Sequence, residues 1–458
     1  MTEFSSIRDL AQAVRRKRVS PVELVQQSLS SIAREQERLN AFISVNAESA
    51  LSSARALERR VAKGGEPGVI GGVPLAVKDL LLTRDAPTTA GSRIYGDGLP
   101  AMQDATVVAR MRRAGALVVG KANLHEVALG VTTVNEHFGP ARNPWNTEHV
   151  SGGSSGGSAV AVAADLCPAA IGTDTRGSIR IPASCCGITG FKPTYGLVPV
   201  EGVIPLAFSL DHVGPMARSA DDCALLLAAM LGGGRSRKTL GNAARASTKR
   251  LVVGVSDYHL RDMDKAVAKV VDAALRELRP LVKDVRAVRI PELDMAQEAS
   301  IVIGGAEAVA FHDEHLQARP ECYGPLVRRR LEGGYERSAL EYVRAIQAQV
   351  MVKVGFAEAF DAVDLIIGAT LPAVPARIDQ HHVMINGVEA NTIASSTRFN
   401  SPQNMAGIPA ISLPAGFAKG LPVGLQVMGP AGADSRVLAF GGAWQRATDW
   451  HERRPPGM

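Results

Sequence analysis

Three polar side chains stand out because of the small and apolar residues around them. Lys78 closes the run VPLAVKD (Val73–Asp79), Ser154 lies in GGSSGG (Gly152–Gly157), and Ser178 lies in GTDTRGSIR (Gly172–Arg180). A serine hydroxyl is a poor nucleophile until a base takes its proton. A lysine at the end of an apolar strand ordinarily snorkels to solvent. If it is buried instead, desolvation favours the neutral amine, and a neutral amine is a base. GGSSGG has the composition of a flexible linker, yet AVAVAA follows directly from Ala159, and a linker does not usually run straight into a core segment. Glycines at 152, 153, 156 and 157 permit backbone geometry that a Cβ would forbid, and the helix start that follows offers free N–H donors. Two glycine loops carrying hydroxyls are therefore expected to bracket a place of close backbone approach.

The elements that must position these groups can be read in chain order. A helix capped by Ser5 carries Ile7, Leu10, Ala11 and Val14 at helical spacing, and Ser20 followed by Pro21 is an N-cap with proline at the first helical position. Leu24, Val25, Leu29, Ile32 and Leu39 predict two long helices between Pro21 and Val61. Lys63–Gly72 is a turn-rich break, and VPLAVKD reads as a buried strand. A helix over Asp104–Gly115 and a strand over Ala116–Lys121 follow. From Gly196 to Ala217 a glycine- and proline-rich path is expected to line one side of a cleft. Ser219–Met230 reads as a helix and Gly232–Arg250 as an exposed loop. Leu251–Asp257, a helix over Asp264–Leu278 and VRAVRI form a strand-helix-strand unit. Residues 295–360 are mostly helical, Val363–Thr370 is a buried strand, PAISLPAG and PVGLQVMG pair around Lys419–Gly420, and Asp434–Ala447 is the last helix. With no internal repeat or clean boundary, one body over 1–458 is expected: helices in 1–62, a core in 63–230, and the rest of the sheet with pocket segments in 231–458.

Composition narrows the function classes. Hydrophobic residues make up 46% of 458 residues, ample for a large core, and no run of about 18 apolar residues exists to cross a bilayer. The first residues do not read as a signal peptide, so a cytoplasmic location is expected. Five cysteines (Cys167, Cys185, Cys186, Cys223, Cys322) imply no disulfide framework, and Cys185–Cys186 reads as packing rather than a redox pair. Net charge is +6, but the basic runs Arg15–Arg18, Arg235–Lys238 and Arg328–Arg330 lack interleaved aromatics. They read as solvated faces, and nucleic acid is not expected as a partner. GALVVGKA (Gly115–Ala122) misses a phosphate-binding loop, because Ala122 stands where Ser or Thr is needed. His125-Glu126 begins a zinc-protease helix pattern, but Leu129 replaces the second histidine. His312 and His315 lack a third ligand and are expected to be surface residues. No metal or cofactor is expected.

Gly152–Gly157, Gly172–Arg180 and Cys186–Thr194, together with GGVPLAVKD at Gly71–Asp79, resemble in order and separation the marks of the amidase signature family. The resemblance implies an α/β fold, a large mixed β-sheet covered on both faces by helices. It also implies a Ser-Ser-Lys hydrolase of carboxylic amides. Ser178 would attack the carbonyl carbon, Ser154, on a cis peptide after Gly153, would relay the proton, and Lys78, neutral at rest, would accept it. None of the ten histidines lies in the two serine segments, which fits a lysine base. Backbone N–H groups of Thr175, Arg176, Gly177 and Ser178 would meet the oxyanion, where one donor is commonly worth about 2.7–4 kcal/mol. Ser155, Asp174 and Arg180 would support the loop.

One residue departs from the family pattern, which has a small residue at the position of Arg176. Its guanidinium either points to solvent or enters the acyl pocket, where it would favour acidic or polar acyl groups as a substrate-binding residue. Segments such as NLHEVALGVTTVNEHFGPARNPWN resemble the glutaminase component of tRNA-dependent amidotransferases. Gln349 and Thr397, however, stand where that component would bear an arginine and an acid. The tail resembles indoleacetamide and mandelamide hydrolases. The expected function is a stand-alone amidase acting on a small-molecule amide. A glutamine-hydrolysing component of a tRNA-dependent amidotransferase and a catalytically silent scaffold are the alternatives, and homodimerisation is left open.

Overall fold

Apolar runs with no polar alternation belong to strands covered on both faces, and PLAVK, LVVGKA, AAIGTD and LIIGA are buried at every residue. They are interior strands of an eleven-stranded mixed sheet in a computed structural model that describes residues 6–99, 102–232 and 240–457. In chain order the strands are β1 (Phe42–Val45), β2 (Pro74–Lys78), β3 (Leu117–Ala122), β4 (Val134–Asn135), β5 (Gly139–Pro140), β6 (Ala169–Asp174), β7 (Thr189–Lys192), β8 (His212–Ala217), β9 (Val252–Ser256), β10 (Asp284–Val288), β11 (Leu365–Ala369), β12 (His382–Ile385), β13 (Val388–Asn391), β14 (Ala410–Ala418) and β15 (Leu421–Met428). The large sheet runs β1-β3-β2-β6-β8-β7-β14-β15-β11-β9-β10, while β12-β13 and β4-β5 are separate hairpins. β2 is parallel to both β3 and β6. Helices flank this sheet, as the resemblance implies.

The described α-helices are α1 (Ile7–Arg15), α2 (Pro21–Leu39), α3 (Ala47–Ala62), α4 (Thr106–Arg113), α5 (Gly156–Ala163), α6 (Arg180–Cys186), α7 (Ala220–Leu231), α8 (Lys265–Glu277), α9 (Ala296–Ala318), α10 (Pro325–Tyr335), α11 (Ala339–Ala362), α12 (Thr392–Arg398), α13 (Ser401–Ala406) and α14 (Asp434–Ala447). Ser20 opens α2 with a full capping box to Glu23, and Asn40 closes it at φ 50°. The two long helices expected over Pro21–Val61 are separated by β1, which pairs antiparallel with β3 and forms one edge of the sheet. The cap of α1 is Ser6, whose hydroxyl accepts the Asp9 N–H at 3.1 Å; Ser5 lies outside the described residues.

α5 is buried along its whole length. Its small residues let it sit against strand ends: a Cβ at Gly157 would come within 2.4 Å of the Ala41 carbonyl. The segment read as an exposed loop at Gly232–Arg250 differs from expectation where it is described. Leu240, Ala243 and Ala244 are buried, because α14 packs so closely that a Cβ at Gly442 would meet the Ala244 carbonyl at 1.9 Å. Arg235–Lys238 lies outside the described residues. Among those described, no helix is long and apolar enough to cross a membrane.

Candidate active site

The carboxyl ends of parallel strands are where a sheet opens a crevice, and β2 and β6 end side by side there. Lys78, the last residue of β2, is fully buried. Its Nζ lies 2.7 Å from Ser154 Oγ and 2.7 Å from Thr173 Oγ1. Both partners are hydroxyls. Burial pulls the Lys78 ammonium down to about 7, against the opposing pull of Asp211 and Asp174. Near neutral pH a substantial fraction of the amine is therefore unprotonated.

The first glycine loop is pinned from several sides. The Gly153–Ser154 peptide is cis. The Ser154 carbonyl accepts the His125 N–H at 3.1 Å, and Thr133 Oγ1 lies 2.8 Å from the Gly152 carbonyl and accepts the Gly156 N–H at 3.1 Å. Ser155 ties this loop to the second one. Its hydroxyl donates to the Thr173 carbonyl at 3.1 Å, and its N–H donates to the Ser178 carbonyl at 3.2 Å. Ser178 is thereby held next to the Ser154–Ser155 turn.

The second loop is built around Asp174. Its carboxylate accepts the N–H groups of Gly177 at 2.8 Å and Ile179 at 3.2 Å, and both Nε and Nη2 of Arg180 at 3.0 Å. Burial would raise the Asp174 carboxyl, but Arg180 overrides it and holds it well below the usual range. Gly177 adopts φ +114°, a conformation that favours glycine. Because its N–H is engaged by Asp174, the free backbone donors of this loop are those of Thr175, Arg176 and Ser178, which hydrogen-bond no other described residue. Arg180 itself is fully buried. It donates also to Gln403 at 2.9 Å, Asn404 at 2.6 Å, Gln426 at 2.6 Å and the Asn400 carbonyl at 2.9 Å.

Several groups at the site escaped the sequence reading. Thr173 sits inside the quoted GTDTRGSIR segment, so only its role was missed. Asp211 accepts the Thr175 hydroxyl at 2.5 Å and the N–H groups of Leu206 at 2.8 Å and Ala207 at 3.1 Å. Burial pushes it up to about 6 while these bonds pull it back. The only signal was an acid inside a glycine- and proline-rich path. That path does line the site: a cavity of about 60 Å³ is bounded by Thr173, Thr175, Val203, Ile204, Leu206 and Asp211. His125 is buried and kept neutral, pulled down to about 3 by burial and by the charges of Arg330 and Lys78. Arg330, read as part of a solvated basic run, instead turns inward and donates to the Leu129 carbonyl at 2.8 Å.

Arg176 follows neither expected course completely. It is partly buried, with Nη1 shut off from solvent and without a hydrogen-bond partner. Lys121 of the near-miss phosphate loop is a buried strand residue paired with Asp79 at 2.9 Å. His312 is not a surface residue: it is buried in α9, its Nδ1 3.0 Å from the Tyr323 hydroxyl. Cys185 and Cys186 are buried free thiols whose pKa burial pushes up, for Cys185 to about 12.

The family model described as Amidase matches residues 23–438. The A-subunit of the glutamyl-tRNA(Gln) amidotransferase of Methylococcus capsulatus is 38% identical over 492 residues, covering 99% of both chains. Among solved structures, an amidase superposes with a TM-score of 0.90 at 34% identity, covering 96% of this chain and 99% of that one. The A-subunit of the glutamyl-tRNA(Gln) amidotransferase of Thermotoga maritima superposes with 0.80 at 33% identity, covering 97% and 96%.

Proposed function

The chain belongs to the amidase signature family of hydrolases acting on C–N bonds, and from that premise we propose that it cleaves a small carboxylic amide to the acid and ammonia, or an amine, without a partner protein. The observation that carries this reading is the setting of Lys78, a fully buried amine between two hydroxyls with its pKa drawn to about 7. Such a group is a base poised at the operating pH.

In the proposed reaction Ser178 Oγ attacks the amide carbon as its proton passes through Ser154 to Lys78. The tetrahedral oxygen is met by the N–H groups of Thr175, Arg176 and Ser178. The same proton returns through Ser154 to the departing nitrogen, the C–N bond breaks, and an acyl ester on Ser178 remains. Water, losing its proton along the same path, attacks the ester and releases the acid. Asp174 and Arg180 fix the curvature of the donor loop, and Ser155 joins the two loops.

The test is ammonia release by the purified chain from glutamine, aliphatic, aryl and dicarboxylic half-amides, with Ser178→Ala as control. Release from one class, lost in the variant, is the expected result; silence across the panel would overturn the stand-alone reading. A second reading is the glutamine-hydrolysing component of a tRNA-dependent amidotransferase, favoured by the end-to-end identity to such proteins. Against it, Gln349 and Thr397 bring no charge to grip an amino acid, and the Thr397 hydroxyl is turned to the Ile393 carbonyl at 2.9 Å. Hydrolysis of glutamine alone, and only with partner proteins, would select it. A silent scaffold is excluded if a fluorophosphonate labels Ser178.

A further inference from the structure

Arg176 stands between Thr175 and Gly177–Ser178, yet no acid balances it. Its Nη1 is removed from solvent and unpartnered. Burial draws its pKa down to about 10, and the nearby charge of Arg330 adds to that pull. Two like charges thus disfavour one another here. Arg330, also lowered by burial, has Glu136 as the nearby opposing charge, and its hydrogen bonds go to a carbonyl and to neutral His125 at 3.4 Å.

The carboxylates of the Arg176 loop, of the adjoining path and of α9 are taken. Asp174 binds Arg180. Asp211 binds Thr175, Leu206 and Ala207. Glu307 of α9 accepts the Ser209 N–H at 3.0 Å, the Ser209 hydroxyl at 2.6 Å and the Tyr342 hydroxyl at 3.0 Å. No side chain of α9 fills the place beside Arg176: α9 meets it at Gly304, where an added Cβ would meet only Arg176 Nε, at 4.0 Å. A partly desolvated guanidinium with an unpartnered nitrogen, a second cation nearby and a glycine rather than an acid against it is a site for an anion.

We infer that the acyl portion of the substrate carries a carboxylate, which Arg176 holds in front of Arg330 while the amide carbonyl lies at Ser178. This deepens the amidase reading and rests on it. The substrate class is the half-amide of a short dicarboxylic acid.

The experiment compares malonamate, succinamate and glutaramate, each against its methyl ester, in the wild-type chain and in Arg176→Gln, Arg176→Lys and Arg330→Gln. The charged member of at least one pair is expected to be preferred about tenfold or more in kcat/KM. Arg176→Gln is expected to lower that charged-to-neutral ratio about 10–100-fold, as for loss of a hydrogen bond to a charged group. Arg176→Lys should retain part of the preference, and Arg330→Gln should lose less of it. A ratio unmoved by Arg176→Gln overturns the proposal while leaving the amidase reading standing. Should the glutamine variant not fold, the wild-type chain decides: competitive inhibition by the free dicarboxylate and not by the matching monocarboxylate supports the site, and equal inhibition overturns it. If the wild type cleaves no amide, calorimetric binding of succinate to Ser178→Ala protein, lost on adding Arg176→Gln, shows that the anion site exists and that the amidase reading is what failed.

Discussion

Lys78 and Lys121 lie on neighbouring parallel strands, equally buried, and are held by opposite kinds of partner. Lys121 has Asp79 at 2.9 Å and also donates to Thr88 at 2.5 Å and the Leu81 carbonyl at 2.8 Å. Lys78 has two hydroxyls and no carboxylate in contact. Burial pulls both amines down, but only Lys121 has an acid in contact pulling back. Depth in the core therefore does not alone decide a buried lysine's charge; whether an acid is in contact also counts.

The sharpest way to break this comparison is Lys78→Met. Activity is expected to fall about 10²–10⁴-fold, the usual worth of a positioned base, with stability unchanged or raised, because no charge is left stranded. A large loss of stability would show that Lys78 is a structural cation like its neighbour. Lys121→Met is the converse. It strands Asp79 and should cost about 3–5 kcal/mol of folding stability, with kcat/KM of the folded fraction within about threefold. Adding Asp79→Asn should recover part of the loss, and a double-mutant cycle in denaturant measures how much.

The pH profile separates the two lysines without substitution. A base must be unprotonated, so kcat/KM should rise about tenfold per pH unit below pH 7 and level off above it. Stability has the same sign. The folded amine, depressed to about 7, has released its proton where the unfolded one, with its ordinary value of 10.5, still holds it, so stability rises with pH between those values. A rate profile that stays flat below pH 7 would remove Lys78 from the base role. The smallest effect is expected from Thr173→Val. Removing an acceptor of the ammonium should move the rate limb to lower pH and reduce the maximal rate about tenfold or less. A shift to higher pH would mean that Thr173 stabilises the neutral amine instead.

What was legible in the sequence was local. Lys78, Ser154 and Ser178 sit in short runs whose glycines and small residues announce close packing, and the apolar strands declare themselves by lacking alternation. β1 was missed because four residues between two strong helical patterns carry little signal. The β12-β13 hairpin turns at Asn386-Gly387, both with positive φ, a turn pair that marks hairpins well but was passed over. Asp211 and Arg330 were illegible for a different reason. Nothing near them in the chain says which side of the fold they face, and their partners come from other elements. Arg176 was open in sequence because its neighbours fix the backbone and not the side chain.

The acceptors around Arg180 bear on how the chain is made. Gln403, Asn404 and Gln426 lie 223, 224 and 246 residues beyond it, and β7, which closes the first half of the sheet, pairs on its other side with β14. A nascent chain emerging from the ribosome has every proposed reacting group once Ser178 has appeared. Until Asn400 to Gln426 follow, Arg180 has only Asp174 among these partners, and β7 ends in an open edge. The groups proposed for chemistry are translated early and positioned late, so an unfinished chain is expected to hold its serines without the curvature that makes one of them reactive.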